Sequence, residues 1–193
     1  MRGYLRKSIF VYFSFPIPKV RDAKQRKLLD VLLITDLNFL NKNRNHMKNK
    51  NYHRTITVNA SPDEAMKKIS KVNLWWKKDF SGSAEKLNDK FTVLFDKEGI
   101  AFVNFRVSEL EPNKKVVWEV TDCSLPWLND KKEWNDTEVT FEISSVNDQT
   151  HIDFIHIGLV PGIECYEVCE KGWDGHVTNS LVKFMNEGVG LPQ

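Results

Sequence analysis

Five segments rich in β-branched and aromatic residues follow one another between residues 90 and 158. They read KFTVLFD, IAFVNFRVSEL, KKVVWEV, TEVTFEIS and THIDFIHIG. The connections at 97–99, 111–113 and 147–148 are short and turn-forming, as in hairpins between antiparallel neighbours. After Pro161 the apolar period becomes helical until about Glu187. A long amphipathic helix after such a sheet must bury its apolar stripe on one sheet face, which predicts an α+β sandwich.

The segment before these strands predicts one further strand and two short helices. HRTITVN alternates polar and apolar residues, as a half-buried strand does. Ser61, Pro62 and Glu64 then supply an N-cap, a first helical residue and the acid of a capping box. VNLWWKKDF follows as a second short helix that carries Trp75 and Trp76. The predicted order is β-α-α-β-β-β-β-β-α, with the last helix lying across a curved antiparallel sheet.

Length and charge divide the chain near Met47. The 193 residues, 41% of them hydrophobic, suit a single domain with a sizeable core. Residues 1–46 carry 10 Lys and Arg against 3 Asp and Glu, whereas the rest of the chain carries 18 against 23. We therefore expect a basic, poorly ordered N-terminal extension over 1–46 and a folded domain over 47–193. The acidic balance of that domain argues against a nucleic-acid partner.

Cysteine usage and hydropathy indicate the compartment. The three cysteines form no CxxC pair, which is typical of neither a disulfide framework nor a zinc finger. No apolar run approaches the ~20 residues that a membrane-spanning helix needs. These features predict a cytoplasmic protein with no stable membrane insertion.

The stretch from Thr150 to His176 holds three of the five histidines and two of the three cysteines. His151 and His156 point to opposite faces of a regular strand and so cannot share one metal ion. The helical stripe that follows contains Tyr166, Cys169, Trp173, Val177, Ser180, Leu181 and Phe184, with Cys165 and His176 at its edge. We expect Cys169 to be a buried core thiol, because free cysteine most often packs as a small hydrophobe.

His156 is the one polar group predicted on the inner sheet face. A buried imidazole needs a hydrogen-bond partner, either a neighbour such as Tyr166 or a ligand in a cavity. A Cys/His nucleophilic pair with Cys169 would require a third group that orients the imidazole, and the sequence shows none. We therefore expect no catalytic residue, no metal site and no cofactor.

These segments also resemble a known superfamily. SPDEAMKKI before the tryptophan pair, VSELEPNKKVVWEV, TEVTFEI and THIDFIHIGLVPGIECYEVCEKGW are similar to SRPBCC proteins, also called START-like or birch-pollen-allergen-like. Within that superfamily the likeness is greatest to the branch named after the activator of the heat-shock-protein-90 ATPase. The resemblance spans about residues 51 to 190. It implies a helix-grip fold, a curved antiparallel sheet wrapped around a long C-terminal helix, with an apolar cavity that binds hydrophobic small molecules.

Strand alternation, the helical stripe, the tryptophan pair and the long loop together supply the residues that would face such a cavity. The candidate ligand-binding residues are Trp76, Phe95, Phe105, Trp118, Trp127, Phe141, Phe154, His156, Tyr166 and Trp173. The alternative interpretation is that these side chains only fill a core, since pockets are few in a protein. The loop from Cys123 to Asn135 is long for a hairpin connection, and we expect it to act as a lid that carries Trp127 and Trp134.

The sequence is compatible with three functions. The first is a carrier or sensor that binds a small apolar or aromatic molecule without chemistry. The second is an enzyme of the polyketide cyclase or aromatase kind, in which His156 would act with Asp122 or Glu119. The third is a co-chaperone that binds a heat-shock ATPase. A homodimer or another protein partner would use the outer sheet face.

Overall fold

The computed structural model describes residues 51–193, so the expected extension over 1–46 lies outside the described residues. Seven strands form one curved antiparallel sheet in the order β1-β7-β6-β5-β4-β3-β2. Their bounds are β1 (Tyr52–Val58), β2 (Phe80–Gly82), β3 (Lys90–Leu94), β4 (Phe102–Glu111), β5 (Lys115–Ser124), β6 (Glu138–Val146) and β7 (Gln149–Ile157). The predicted α+β helix-grip architecture is confirmed.

Helices cover one face of this sheet. Two short ones, α1 (Pro62–Ile69) and α2 (Val72–Trp75), follow β1. The C-terminal helix spans 166–187 and consists of α3 (Tyr166–Trp173), a π-helical segment (Asp174–Leu181) and α4 (Val182–Glu187). The Ser61 hydroxyl caps α1 by accepting from the Glu64 N–H at 3.3 Å, as the sequence predicts. Gly188 ends α4 in the left-handed conformation, with φ of 77°.

The second short helix is where the predicted order of elements is wrong. We expected a helix over VNLWWKKDF, but α2 ends at Trp75 and Phe80–Gly82 form the edge strand β2. Beyond α2 the backbone of Trp76 and Lys78 hydrogen-bonds to Gln193 instead of continuing the helix. Gly82 is required in β2, since a Cβ there would lie 2.2 Å from the Lys90 carbonyl oxygen. A strand of three residues is too short to show alternation in the sequence.

The core lies between the inner sheet face and the C-terminal helix. The strand residues predicted to face inward on the last four strands, Phe105, Trp118, Phe141, Phe154 and His156, are all buried. From the helix, Trp173, Val177 and Leu181 complete this core. Aromatic contacts dominate its centre, and such edge-to-face pairs stabilise beyond the area they bury.

Within residues 51–193, no helix is both long and apolar enough to cross a membrane.

Candidate functional site

His156 is part of a chain of hydrogen bonds inside the core. Its Nδ1 accepts from the indole N–H of Trp173 at 3.0 Å, which leaves Nε2 to donate to the Thr137 hydroxyl at 3.1 Å. That hydroxyl donates to the carbonyl of Trp134 at 2.7 Å. The ring is fully buried, and burial lowers the pKa of His156 to about 3. His156 is therefore a neutral structural histidine with both nitrogens occupied.

The partners predicted for His156 lie elsewhere. Tyr166 is half-buried, and its hydroxyl lies 3.5 Å from Glu170 on the same helix. Glu119 pairs with Arg106, and Asp122 pairs with Lys132 at 2.5 Å. None of these groups hydrogen-bonds to His156 in the described chain, so the geometry assembles no acid/base pair there.

The burial of Cys165 and Cys169 is the reverse of what we expected. Cys165 is fully buried and accepts a hydrogen bond from the Trp134 indole N–H at 3.1 Å, whereas Cys169 is only half-buried. The sequence-based assignment of Cys169 as the buried core thiol is wrong: Cys169 packs against the core at its edge, because it is Cys165 that contacts Trp134 and Glu133 of the loop over 125–135. Glu133 carboxylate oxygens accept from the backbone N–H groups of Glu164 and Cys165, which holds Cys165 beside this loop.

The thiols of Cys165 and Cys169 shift each other's pKa in opposite directions. A hydrogen bond with Cys169, followed by burial, raises the pKa of Cys165, while the same bond lowers the pKa of Cys169. Among residues 51–193 no group of three or more His, Cys, Asp or Glu side chains is placed to hold a metal ion.

A pocket of about 220 Å³ opens at one end of the interior, and we call it the aromatic pocket. It lies between α3, the residues after α2, the end of β3 and the loop over 125–135. Its walls are Trp76, Lys77, Phe95, Leu125, Trp127, Trp134, Val168, Cys169, Gly172, Trp173, His176 and Gln193.

The structure divides the predicted ligand-binding residues into three groups. Four of them line the aromatic pocket: Trp76, Phe95, Trp127 and Trp173. Five are buried and lie outside its lining, and we call these five the closed core: Phe105, Trp118, Phe141, Phe154 and His156. Tyr166 is in neither group, because it lies beside Glu170 on the helix.

Five aromatic rings follow one another around the aromatic pocket. The ring centroids of Trp76 and Trp173 are 4.6 Å apart, and Phe95 meets Trp76 edge-on at 6.4 Å. Trp127 meets Phe95 edge-on at 5.9 Å and is 52% exposed, so it stands at the rim. Trp134 stacks on Trp173 at 6.1 Å and is buried. Of the two tryptophans that we expected in a lid, Trp134 is therefore a buried part of the pocket wall, and Trp127 is exposed at the rim.

Backbone contacts hold the back wall in place. The Ser180 hydroxyl donates to the carbonyl of Trp75 and accepts from the N–H of Leu191 at 2.7 Å. The Gln193 N–H donates to the carbonyl of Trp76 at 3.1 Å. Gly190 permits this close approach, since a Cβ there would lie 2.2 Å from the Leu74 carbonyl oxygen. The C-terminal residues thus fix Trp76 and Lys77 beside the helix.

Sequence reasoning missed the polar and small residues of the aromatic pocket. Lys77 directly follows the buried tryptophan pair, and that position was the available signal. His176 stands at the edge of the helical stripe and becomes buried because the π-helical segment turns it inward. Gly172 lines the pocket, and a Cβ there would have no heavy atom within 4 Å.

A second depression of about 360 Å³ lies outside the aromatic interior, between α1 and the β4–β5 hairpin. Met66, Leu110 and Val116 supply its apolar lining. Two of its lysines are already paired, Lys67 with Asp63 at 2.6 Å and Lys71 with Glu85.

Fold and pocket together define an α+β helix-grip protein with an aromatic cavity beside its long helix. The model of the family "Activator of Hsp90 ATPase homolog 1-like protein" matches residues 65–186, and the chain belongs to this family. The resemblance inferred from the sequence is thereby confirmed. No protein of curated function matches the chain significantly.

Solved structures share the fold at low sequence identity. The Aha1 dimer from Colwellia psychrerythraea is 23% identical with a TM-score of 0.58, covering 72% of this chain and 98% of that one. DynU16, a putative protein in the dynemicin biosynthetic locus, is 16% identical with a TM-score of 0.52, covering 72% and 48%. SSP2350 from Staphylococcus saprophyticus is 12% identical with a TM-score of 0.52, covering 73% and 95%. At these identities the likeness concerns the fold alone.

Proposed function

We propose that this protein is a non-catalytic binding module that holds a small apolar or aromatic molecule in the aromatic pocket. The observation that carries the proposal is the convergence of Trp76, Phe95, Trp127 and Trp173 around one opening of about 220 Å³. Pockets for drug-sized ligands measure about 300–1,000 Å³. The ligand is therefore expected to be smaller, with one or two rings. We place its binding in the cytoplasm, which suits the three free cysteines.

The proposal leaves catalysis out because the base that the sequence indicated is not at the pocket. General acid/base catalysis requires a group within hydrogen-bond reach of a substrate proton. His156 has both nitrogens engaged in the core, and Trp173 stands between it and the aromatic pocket. The polyketide cyclase-like alternative thus loses the residue on which it depended.

Filling the aromatic pocket from within tests the proposal. Gly172→Leu adds a side chain where the structure has room, and leucine favours a helix over glycine. We expect calorimetry with 2-naphthamide, a neutral two-ring probe, to show one site in the natural protein and at least ~10-fold weaker binding in Gly172→Leu, a loss of ~1.4 kcal/mol.

Gly175→Leu is the matched control, because its Cβ would also meet no heavy atom within 4 Å and Gly175 does not line the aromatic pocket. It should bind like the natural protein. The proposal is wrong if neither neutral nor anionic one- and two-ring aromatics bind, or if both leucine variants bind them unchanged. Mass spectrometry of molecules that co-purify with the protein would identify a natural ligand.

A protein partner is the second candidate, and the family match favours it. The family is named for an ATPase activator, and the similar structure from Colwellia psychrerythraea is a dimer. A homodimer or a complex with a heat-shock ATPase would use the outer sheet face. Light scattering of the full chain tests the first arrangement, since a dimer doubles the mass of 22.5 kDa.

A further inference from the structure

Two polar side chains of the aromatic pocket have no polar partner among residues 51–193. Lys77 lines the pocket with its ammonium 5.1 Å from the ring centroid of Phe95, and it forms no ion pair. His176 lines the pocket from the π-helical segment, is 8% exposed, and its ring nitrogens form no hydrogen bond. Both groups lie against rings that the proposed ligand would contact.

The Lys77 ammonium lies in an environment that disfavours its charge. Burial lowers the pKa of Lys77, and the more distant Asp79 only partly offsets this effect. A charge withdrawn from water is costly unless another charge or a hydrogen bond compensates it. The Phe95 ring face compensates only in part, through a cation–π contact. An anion in the pocket would compensate more fully.

His176 complements Lys77 as a neutral hydrogen-bonding group. Burial, and then the charge of Lys77, lower the pKa of His176 to about 4. The imidazole is therefore uncharged at neutral pH, with one N–H to donate. An ammonium and an N–H donor that lack acceptors among residues 51–193, in one aromatic enclosure, match a ligand with a ring and an anionic oxygen group.

We propose that the aromatic pocket selects small aromatic acids, with the ring among Trp76, Phe95 and Trp127 and the anionic oxygens on Lys77 and His176. This inference rests on the proposed function, since it names the class of ligand for the same pocket. A carboxylate is the simplest such group. Charge-assisted hydrogen bonds are about twice as strong as neutral ones, so the acid should bind more tightly than a neutral molecule of the same shape.

The test compares 2-naphthoate with 2-naphthamide, which differ in charge but hardly in shape. Calorimetry at neutral pH should give a Kd at least ~10-fold lower for the acid in the natural protein. In Lys77→Met, which keeps the length of the side chain without its charge, the two probes should bind with about equal Kd. His176→Phe should weaken the acid more than the amide. Lys78→Met is the matched control, because Lys78 is exposed and outside the pocket lining, and it should keep the full preference.

The outcomes separate this inference from the proposed function. Equal binding of acid and amide to the natural protein overturns the inference and leaves the neutral binding site standing. A preference that survives Lys77→Met, or that Lys78→Met removes equally, also overturns it. Failure of both probes to bind contradicts the proposed function itself.

Discussion

The closed core and the aromatic pocket use the same kinds of side chain with different results. In the closed core Trp118, Phe141 and Phe154 touch ring to ring at 4.9–5.1 Å, and every ring nitrogen of His156 has a partner. In the aromatic pocket the rings stand around a space, which Lys77 and His176 also line, and neither side chain has a polar partner in the described part of the chain. The space between the rings, not the composition, distinguishes a packed interior from a site that can accept a molecule.

Trp173 connects the two regions, and its removal should have the largest effect. Its indole N–H donates to His156, and its ring contacts Phe154 at 4.7 Å and Trp76 at 4.6 Å. We expect Trp173→Ala to lower the free energy of unfolding by about 3–5 kcal/mol in urea titrations. Trp173→Phe keeps most of the ring and should cost less. A loss below ~1 kcal/mol for the alanine variant would show that the closed core does not depend on this helix contact.

Acid should destabilise the closed core through His156. Its pKa is about 3 in the folded protein and about 6.5 when unfolded, so only the unfolded chain takes up this proton as the pH falls below 6.5. The neutral ring contributes its full share to the free energy of unfolding above pH 6.5. This share is lost progressively as the pH falls to 3, and the loss at pH 4.5 is about 2–3 kcal/mol. His176 acts in the same direction down to about pH 4.

Urea titrations at pH 7 and pH 4.5 measure this dependence. His156→Asn should reduce the slope of the free energy of unfolding against pH by the contribution of about one proton. Thr137→Val keeps the imidazole and removes its hydroxyl partner, so this variant should be less stable but retain the slope. An unchanged slope in His156→Asn would mean that the ring is not kept neutral by burial.

The two cysteines sharpen the comparison, because one is a core residue and the other a pocket residue. Cys165→Ala leaves the Trp134 indole N–H without its acceptor and should cost about 1–3 kcal/mol. Cys169→Ala should cost less than ~1 kcal/mol. In the folded protein a thiol reagent should modify Cys169 before Cys165 and Cys123, which are both buried. Faster modification of Cys165 would contradict the assignment.

The smallest effect on stability is expected at the pocket rim. Trp127→Ala should change the free energy of unfolding by no more than about 0.5 kcal/mol, because the side chain is 52% exposed. It should still weaken 2-naphthamide binding by ~10-fold, as loss of an aromatic contact does. Leu87→Ala, with the same exposed fraction and a place outside the pocket, is the control. Equal binding by both variants would show that Trp127 does not contribute to ligand binding.

The sequence predicts the fold well, because period-2 alternation identifies inward positions such as Phe105, Trp118 and Phe154 without knowledge of the tertiary structure. It fails at β2, whose three residues are too short for a period. It also misassigns Cys169, because a constant 100° per residue does not describe which way the first turn of α3 faces. That direction depends on the contact between Glu133 and the start of the helix.

The candidate site is less predictable than the fold. Alternation shows that a side chain faces inward, but the space in front of it depends on the distance between helix and sheet and on the loop that closes the end. Trp134 fills such space and Trp127 leaves it open, although both come from one loop. No periodic pattern in the sequence identifies Lys77 and His176 as pocket residues. Only the three-dimensional structure shows that these side chains have no polar partner among residues 51–193.

The most direct test of the difference between the two regions uses the indole N–H signals of the six tryptophans. Single Trp→Phe variants assign each signal in a proton–nitrogen correlation spectrum. On titration with 2-naphthamide, we expect the signals of Trp76, Trp127, Trp134 and Trp173 to shift with one Kd, while those of Trp75 and Trp118 stay in place. Shifts of Trp75 and Trp118 as large as those of the pocket tryptophans would contradict the account, because the ligand would then occupy the interior that the structure shows as filled.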